Sequence, residues 1–269
     1  MLNEIINYTN IKEPFKRVIF REIKIPIVSS SYDAVDKNYF RYPPMLVPLF
    51  ADYDLPDIIG IAMHPFSSRQ SSFVRFNLAE GYFREIALNS TQLETQMILK
   101  MIMIEEEITE DISNFCNEIR FQDLEKVDLF SDQYGDNYIH FDKLVNFQNN
   151  CPLHYCQTLE NYNGNFLSSD KLINLKAIDD SSTFELSDKI FLEENTSYPI
   201  WFKNDNLISI FYKFLDQKKF REAWLCLNSG TWTKKDLSKG LLDLKDNTTD
   251  VLFNLLCYYW LDNNSGSKD

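Results

Sequence analysis

The chain has 269 residues, 44% of them hydrophobic, 25% charged and 14% aromatic, with seven glycines, five cysteines and a formal charge of −13. That composition excludes a disordered, collagen-like or disulfide-framework protein. With 27 basic against 40 acidic residues it also argues against nucleic acid as a partner, because phosphate binding needs clustered Lys and Arg.

Residues 18 to 28, VIFREIKIPIV, alternate Ile23, Ile25 and Ile27 with Glu22 and Lys24, the period of a half-buried strand, with Pro26 favouring an edge. The proline-broken stretch Tyr42 to Phe50 leads into a strand, and Asp52, Asp54 and Asp57 mark a loop. Ile58 to Met63 is short and wholly apolar, which predicts a central strand. Val74, Phe76 and Leu78 alternate with Arg75 and Asn77, Ala79-Glu80-Gly81 can turn, and Tyr82 to Leu88 returns, so a hairpin is expected.

Thr91-Gln92-Leu93-Glu94 fits a capping box, in which the Thr hydroxyl and Glu carboxylate satisfy open amides at a helix start. From there Leu93, Met97, Met101, Ile104, Ile108, Ile112, Phe115 and Ile119 form an apolar stripe at the helical period, compatible with one helix or two collinear ones. Between 121 and 200 the pattern weakens into short apolar pieces among Asp, Asn and Ser. The last part recovers a helical rhythm through Leu207, Phe211 and Leu215, then Phe220, Trp224 and Leu227, then Leu237, Leu241 and Leu244, then Leu252, Leu255, Leu256 and Tyr259. The expected fold is α+β: an antiparallel-rich sheet with packed helices over residues 1–120, a poorly defined connecting region over 121–200, and an all-helical unit of three or four helices over 201–263.

Cys116, Cys151, Cys156, Cys226 and Cys257 are an odd set, and the start MLNEIINYTN lacks the basic residues and apolar run of a signal peptide. Reduced, buried thiols in a cytoplasmic protein are expected. The nearly apolar run Met97 to Ile104 includes Lys100 and is far shorter than the roughly 20 residues needed to span a bilayer.

Cys151-Pro152-Leu153-His154-Tyr155-Cys156 is the only cluster of soft-metal ligand types, but it lacks a partner CxxC pair and a fourth ligand, so no metal or other cofactor is expected. Pairings of Cys151 or Cys156 with His140 or His154, or of Ser67-Ser68 with His64, carry no supporting motif. Neither a GxSxG elbow, an HExxH pair nor a phosphate loop is present. Residues 90–140 hold twelve acidic against three basic residues. Within them Glu105, Glu106, Glu107, Glu110 and Asp111 lie off the apolar stripe and are expected to form an acidic helix face, either a solvated surface or a docking site for Lys and Arg.

Val47-Pro48-Leu49-Phe50-Ala51-Asp52, then Gly60-Ile61-Ala62, then Ser72-Phe73-Val74-Arg75-Phe76, then Glu85-Ile86-Ala87 leading to Leu93 and a helix, resemble the SUKH superfamily of bacterial immunity proteins. The resemblance spans about residues 46–118; the family's glycine-rich lead-in is not evident around Tyr39 to Pro44, and the helical C-terminal part is then an addition. It implies a non-catalytic cytoplasmic antidote that neutralises a basic toxin, such as a nuclease, through an acidic surface. Two alternatives stand beside it: a helical scaffold that binds through Phe211, Phe214, Trp224, Tyr258 and Trp260, and a hydrolase using His140, His154 or the Cys pair.

Overall fold

A computed structural model describes residues 1–26, 32, 35, 42–52, 57–78, 83–156, 206–229 and 232–264. Two short helices open the chain, α1 (Leu2–Ile6) and α2 (Glu13–Ile19). α2 occupies the start of the stretch expected to be a strand. Pro14 lies in its first turn, where a missing N–H is harmless, and Phe15, Val18 and Ile19 bury one helical face. Arg21, with φ of 62°, ends it. Only Ile23 and Ile25 remain as an alternating pair beyond the helix, too few to nucleate a strand; residues 27 and 28 lie outside the described part.

Four strands, β1 (Leu46–Asp52), β2 (Asp57–Ala62), β3 (Ser72–Asn77) and β4 (Phe83–Ala87), form an antiparallel sheet in the order β1-β2-β3-β4. The fold is therefore α+β, and β2, buried throughout, is central as its unbroken apolar run predicts. Pro48 is tolerated because β1 is an edge strand. Opposite it sits Gly60, where a Cβ would lie 2.5 Å from the Val47 carbonyl oxygen and 2.8 Å from Leu46 Cδ1. The glycine is what lets the two backbones approach. β3 and β4 form the expected hairpin; its turn falls outside the described residues, as does Asp54.

The long helical stripe is divided between α3 (Ser90–Glu105) and α4 (Glu110–Ile119). Glu106 closes α3 in the left-handed conformation, φ 59°, and the Thr109 hydroxyl caps α4 by accepting from the Ile112 N–H at 3.3 Å. Asn89, not Thr91, caps α3, accepting from the Gln92 N–H at 3.0 Å. Thr91 instead accepts from Lys12 Nζ at 2.6 Å, and Glu94 turns inward, 4% exposed. Over residues 121–156 the expected connecting region has defined elements: α5 (Leu124–Tyr134) packs on α3, and short 3-10 helices at Tyr138–Lys143 and Leu153–Tyr155 follow, the second against β4. Residues 157–205 lie outside the described part.

Four further helices, α6 (Leu207–Asp216), α7 (Phe220–Leu227), α8 (Lys234–Asp246) and α9 (Val251–Asn264), make the helical part. On α9 the buried face is Phe253, Leu256, Cys257 and Trp260; of the expected Leu252, Leu255, Leu256 and Tyr259, Leu256 lies on it and the other three are half-buried. These helices share one continuous apolar core with the sheet. The Met45 N–H donates to Asn228 Oδ1 at 2.7 Å, the Trp260 indole donates to the Tyr42 carbonyl at 2.9 Å, and Phe66 packs on Phe220 and Phe253. Among the described residues no helix is long and apolar enough to cross a membrane.

Candidate functional site: an acidic corner

The break at Glu106 changes the geometry of the expected acidic face. Glu105 is the last residue of α3 and half-buried; Glu106 and Glu107 are exposed in the link; Glu110 and Asp111 are exposed in the first turn of α4. The five carboxylates therefore wrap a corner between two helices and do not share one helix face. A helix dipole separates them into two groups. Glu110 and Asp111 sit at the positive end of α4, where acidic side chains stabilise the helix by about 0.3–1 kcal/mol each. Glu105 and Glu106 sit at the negative end of α3, where the same term is unfavourable.

α5 extends this surface, which the sequence reading passed over. The Ser131 hydroxyl donates to Met103 Sδ at 3.1 Å, fixing α5 beside the end of α3. Glu125, Asp128 and Asp132 are spaced i, i+3, i+7 on the outer side of α5, opposite buried Val127 and Phe130. That spacing was the available signal. None of these eight carboxylates makes an ion pair or side-chain hydrogen bond among the described residues.

Other charged groups are consumed internally. Glu85, 1% exposed, accepts from Arg69 at 2.9 Å, from the Ser72 hydroxyl at 2.8 Å and from the Leu153 N–H at 3.2 Å. Asp52 and Asp57, opposite each other at the end of the β1–β2 pair, both face Arg75, at 3.5 and 3.4 Å, and Lys100 also reaches Asp52 at 3.5 Å. Burial raises the Asp57 carboxyl, while Arg75 and Asn77 oppose the shift. These clusters hold the sheet's ends to its covering helices.

Four of the five cysteines sit where their surroundings keep the thiol protonated. Burial pushes the Cys116 and Cys226 thiols up to about 12 and Cys257 up to about 11. Cys151 is raised further, first by hydrogen bonding to Cys156 and then by burial. A thiol held protonated is a weak nucleophile. His64 is buried and, by burial and the neighbouring Arg69, held well below its ordinary value, a neutral core imidazole. His140 packs on Tyr134, and His154 stacks on Tyr138. Among the described residues no three His, Cys, Asp or Glu side chains converge on a metal position.

Of the aromatic residues considered for a docking groove, Phe211, Trp224 and Trp260 are buried, Phe214 is half-buried and Tyr258 is 50% exposed. The first three fill the core. A cleft of about 210 Å³ does open between β3 and the last helices, lined by Tyr42, Phe76, Trp232 and Lys234, but its indoles are engaged, Trp232 to the Cys226 carbonyl and Trp260 to Tyr42. Compared with protein-family models, curated proteins and solved structures, the chain has no significant match.

Proposed function

We propose that the protein is a non-catalytic binding protein that captures a basic protein partner on the acidic corner of α3, α4 and α5. The observation that carries this reading is the position of Glu105 and Glu106. Acidic groups at a helix C-terminus oppose the helix dipole, so their presence serves something other than the helix, and their carboxylates are uncommitted among the described residues. A concentrated negative surface of this kind accelerates association with a cationic partner and loses that advantage as salt rises. The resemblance to SUKH immunity proteins gives the partner a character: a basic toxin, such as a nuclease, neutralised in the cytoplasm.

The test is capture on the immobilised full chain at low and moderate salt, followed by a triple reversal of Glu105, Glu106 and Glu107 to Lys. A basic protein retained at low salt, released at moderate salt and lost from the variant supports the proposal. Partners that bind equally well to the variant remove this surface from consideration. Glu110 is left out of the variant because its charge also supports α4.

A further inference from the structure

Cys151 and Cys156 take no part in the acidic corner, yet the fold sets them side by side. The 3-10 turn Leu153–Tyr155 lies between them. Its Tyr155 N–H donates to the Pro152 carbonyl at 3.0 Å, and the Cys156 N–H donates to the Leu153 carbonyl at 3.1 Å. The Cys156 thiol then comes back to the Cys151 carbonyl, donating to it at 3.4 Å, and the two sulfurs lie within hydrogen-bonding reach of each other. A disulfide needs its sulfurs at about 2 Å, a distance that two thiols in contact reach by rotating their side chains.

The surroundings set this pair apart from the other thiols. With Leu153 it forms a small apolar cluster bordered by Leu88 and Tyr155, whereas Cys116, Cys226 and Cys257 belong to the main core. Cys151 and Cys156 are each 7% exposed, against 3% for Cys116 and 0% for Cys226 and Cys257, so a small oxidant meets the pair first. The turn they flank packs on β4, and its Leu153 N–H is anchored on the buried Glu85 carboxylate at 3.2 Å. Joining the two sulfurs therefore closes a loop around that anchor.

We propose that Cys151 and Cys156 are a modification site at which hydrogen peroxide forms a reversible disulfide, locking the turn Leu153–Tyr155 on β4. Cys151 holds its proton, kept there first by the hydrogen bond to Cys156 and then by burial, so Cys156 is the attacking sulfur. Having lost its proton to water, it attacks one peroxide oxygen. An S–O bond forms, the O–O bond breaks, and the departing hydroxide takes up a proton to become water. The Cys151 sulfur then attacks the Cys156 sulfur: the S–S bond forms, the S–O bond breaks, and the hydroxyl leaves with the Cys151 proton as a second water. Two thiols lose two electrons and one peroxide is reduced to two waters.

The full chain is treated with sub-millimolar hydrogen peroxide, quenched at intervals with iodoacetamide in urea and digested with trypsin for mass analysis. The peptide between Lys143 and Lys171 carries Cys151 and Cys156 and no other cysteine. It should lose two hydrogens and become closed to iodoacetamide about ten-fold faster than Cys116, Cys226 or Cys257 is oxidised, because the second thiol is already in place. Dithiothreitol should restore it. Linkage should raise the thermal midpoint by about 4 °C, since a closed loop restricts the unfolded chain, and Cys156→Ser should show neither response. Cys151→Ser keeps the attacking sulfur and lacks the second, so it should stop at a sulfenic acid on Cys156 that dimedone captures. In the parent chain, oxygen adducts without loss of the two hydrogens, a link to a second chain, oxidation of all five cysteines at one rate, or a midpoint unmoved by complete linkage would each overturn the proposal.

Discussion

Glu94 shows how much one residue's surroundings can differ from what its spacing suggests. Three positions after Thr91, it reads as the acidic half of a capping box, yet the helix starts two residues earlier at Asn89 and Glu94 is packed inside. The run Asn89-Ser90-Thr91 offers three consecutive side chains able to cap, and only the path of β4 into α3 decides among them. Burial pushes the Glu94 carboxyl from 4.5 up to about 7, with Lys12 opposing. Because the folded chain holds this proton more tightly than the unfolded one, the contribution is fully present below about 4.5. It is lost as pH rises through about 7, amounting to about 3 kcal/mol at most. Glu94→Gln should therefore be more stable than the parent at pH 8 and nearly equal to it at pH 4.5, read as urea midpoints; a gap of the same size at both values would show that Glu94 does not titrate in this way. Gly60 is the complementary case, legible in sequence as a glycine in a central strand but not as the contact point of Val47 and Leu46. Gly60→Ala should cost about 2–3 kcal/mol through the clash with the β1 backbone, seen as a lower midpoint with an unchanged denaturant slope.

At the scale of elements, the sheet was the most legible part, because β2 to β4 are short apolar or alternating runs with turn residues between them. The helices were legible as rhythm but not as boundaries. The α3–α4 stripe continues at intervals of three and four across the break, so periodicity alone could not reveal it; Ile104, a member of that stripe, is 39% exposed. What marks the break is chemistry: a left-handed residue at Glu106 and a cap at Thr109. Thr109→Ala should cost about 1 kcal/mol by freeing the Ile112 amide. Glu106→Gly should stabilise by up to about 1 kcal/mol, since glycine adopts positive φ without the strain of a Cβ. Both are read from thermal midpoints at fixed pH. Opposite signs locate the helix end where the structure places it, whereas two losses would restore a continuous helix. α2 was missed for a related reason: Phe15, Val18 and Ile19 give only one helical face of seven residues, while the alternation of Ile23, Ile25 and Ile27 beside it imitates a strand. Five of the eight acidic positions were legible as a cluster in the sequence; the three on α5, dispersed at i, i+3 and i+7, needed the packing of α5 on α3 to join them.

Across the whole molecule the question is whether the sheet and the last four helices unfold as one. Composition shifts along the chain suggest separate parts, but contacts between sequence-distant residues cannot be read from such shifts. The bonds from Met45 to Asn228 and from Trp260 to Tyr42 tie strand β1 and the residues before it to α7 and α9. Phe66 enters the helical side beside Phe253. Burying a shared core of this kind couples the stabilities of both sides. Among the described residues the tryptophans, Trp224, Trp232 and Trp260, all lie on the helical side, so their fluorescence reports on that side while Gly60→Ala perturbs the sheet. In a coupled molecule that substitution should lower the fluorescence midpoint in urea as much as the far-ultraviolet circular dichroism midpoint. Asn228→Ala, which leaves the Met45 amide without its acceptor at a cost of about 1–3 kcal/mol, should move both probes together as well. A fluorescence transition indifferent to Gly60→Ala would mean that the helices form an independent unit and that the shared apolar contacts add little to holding it against the sheet.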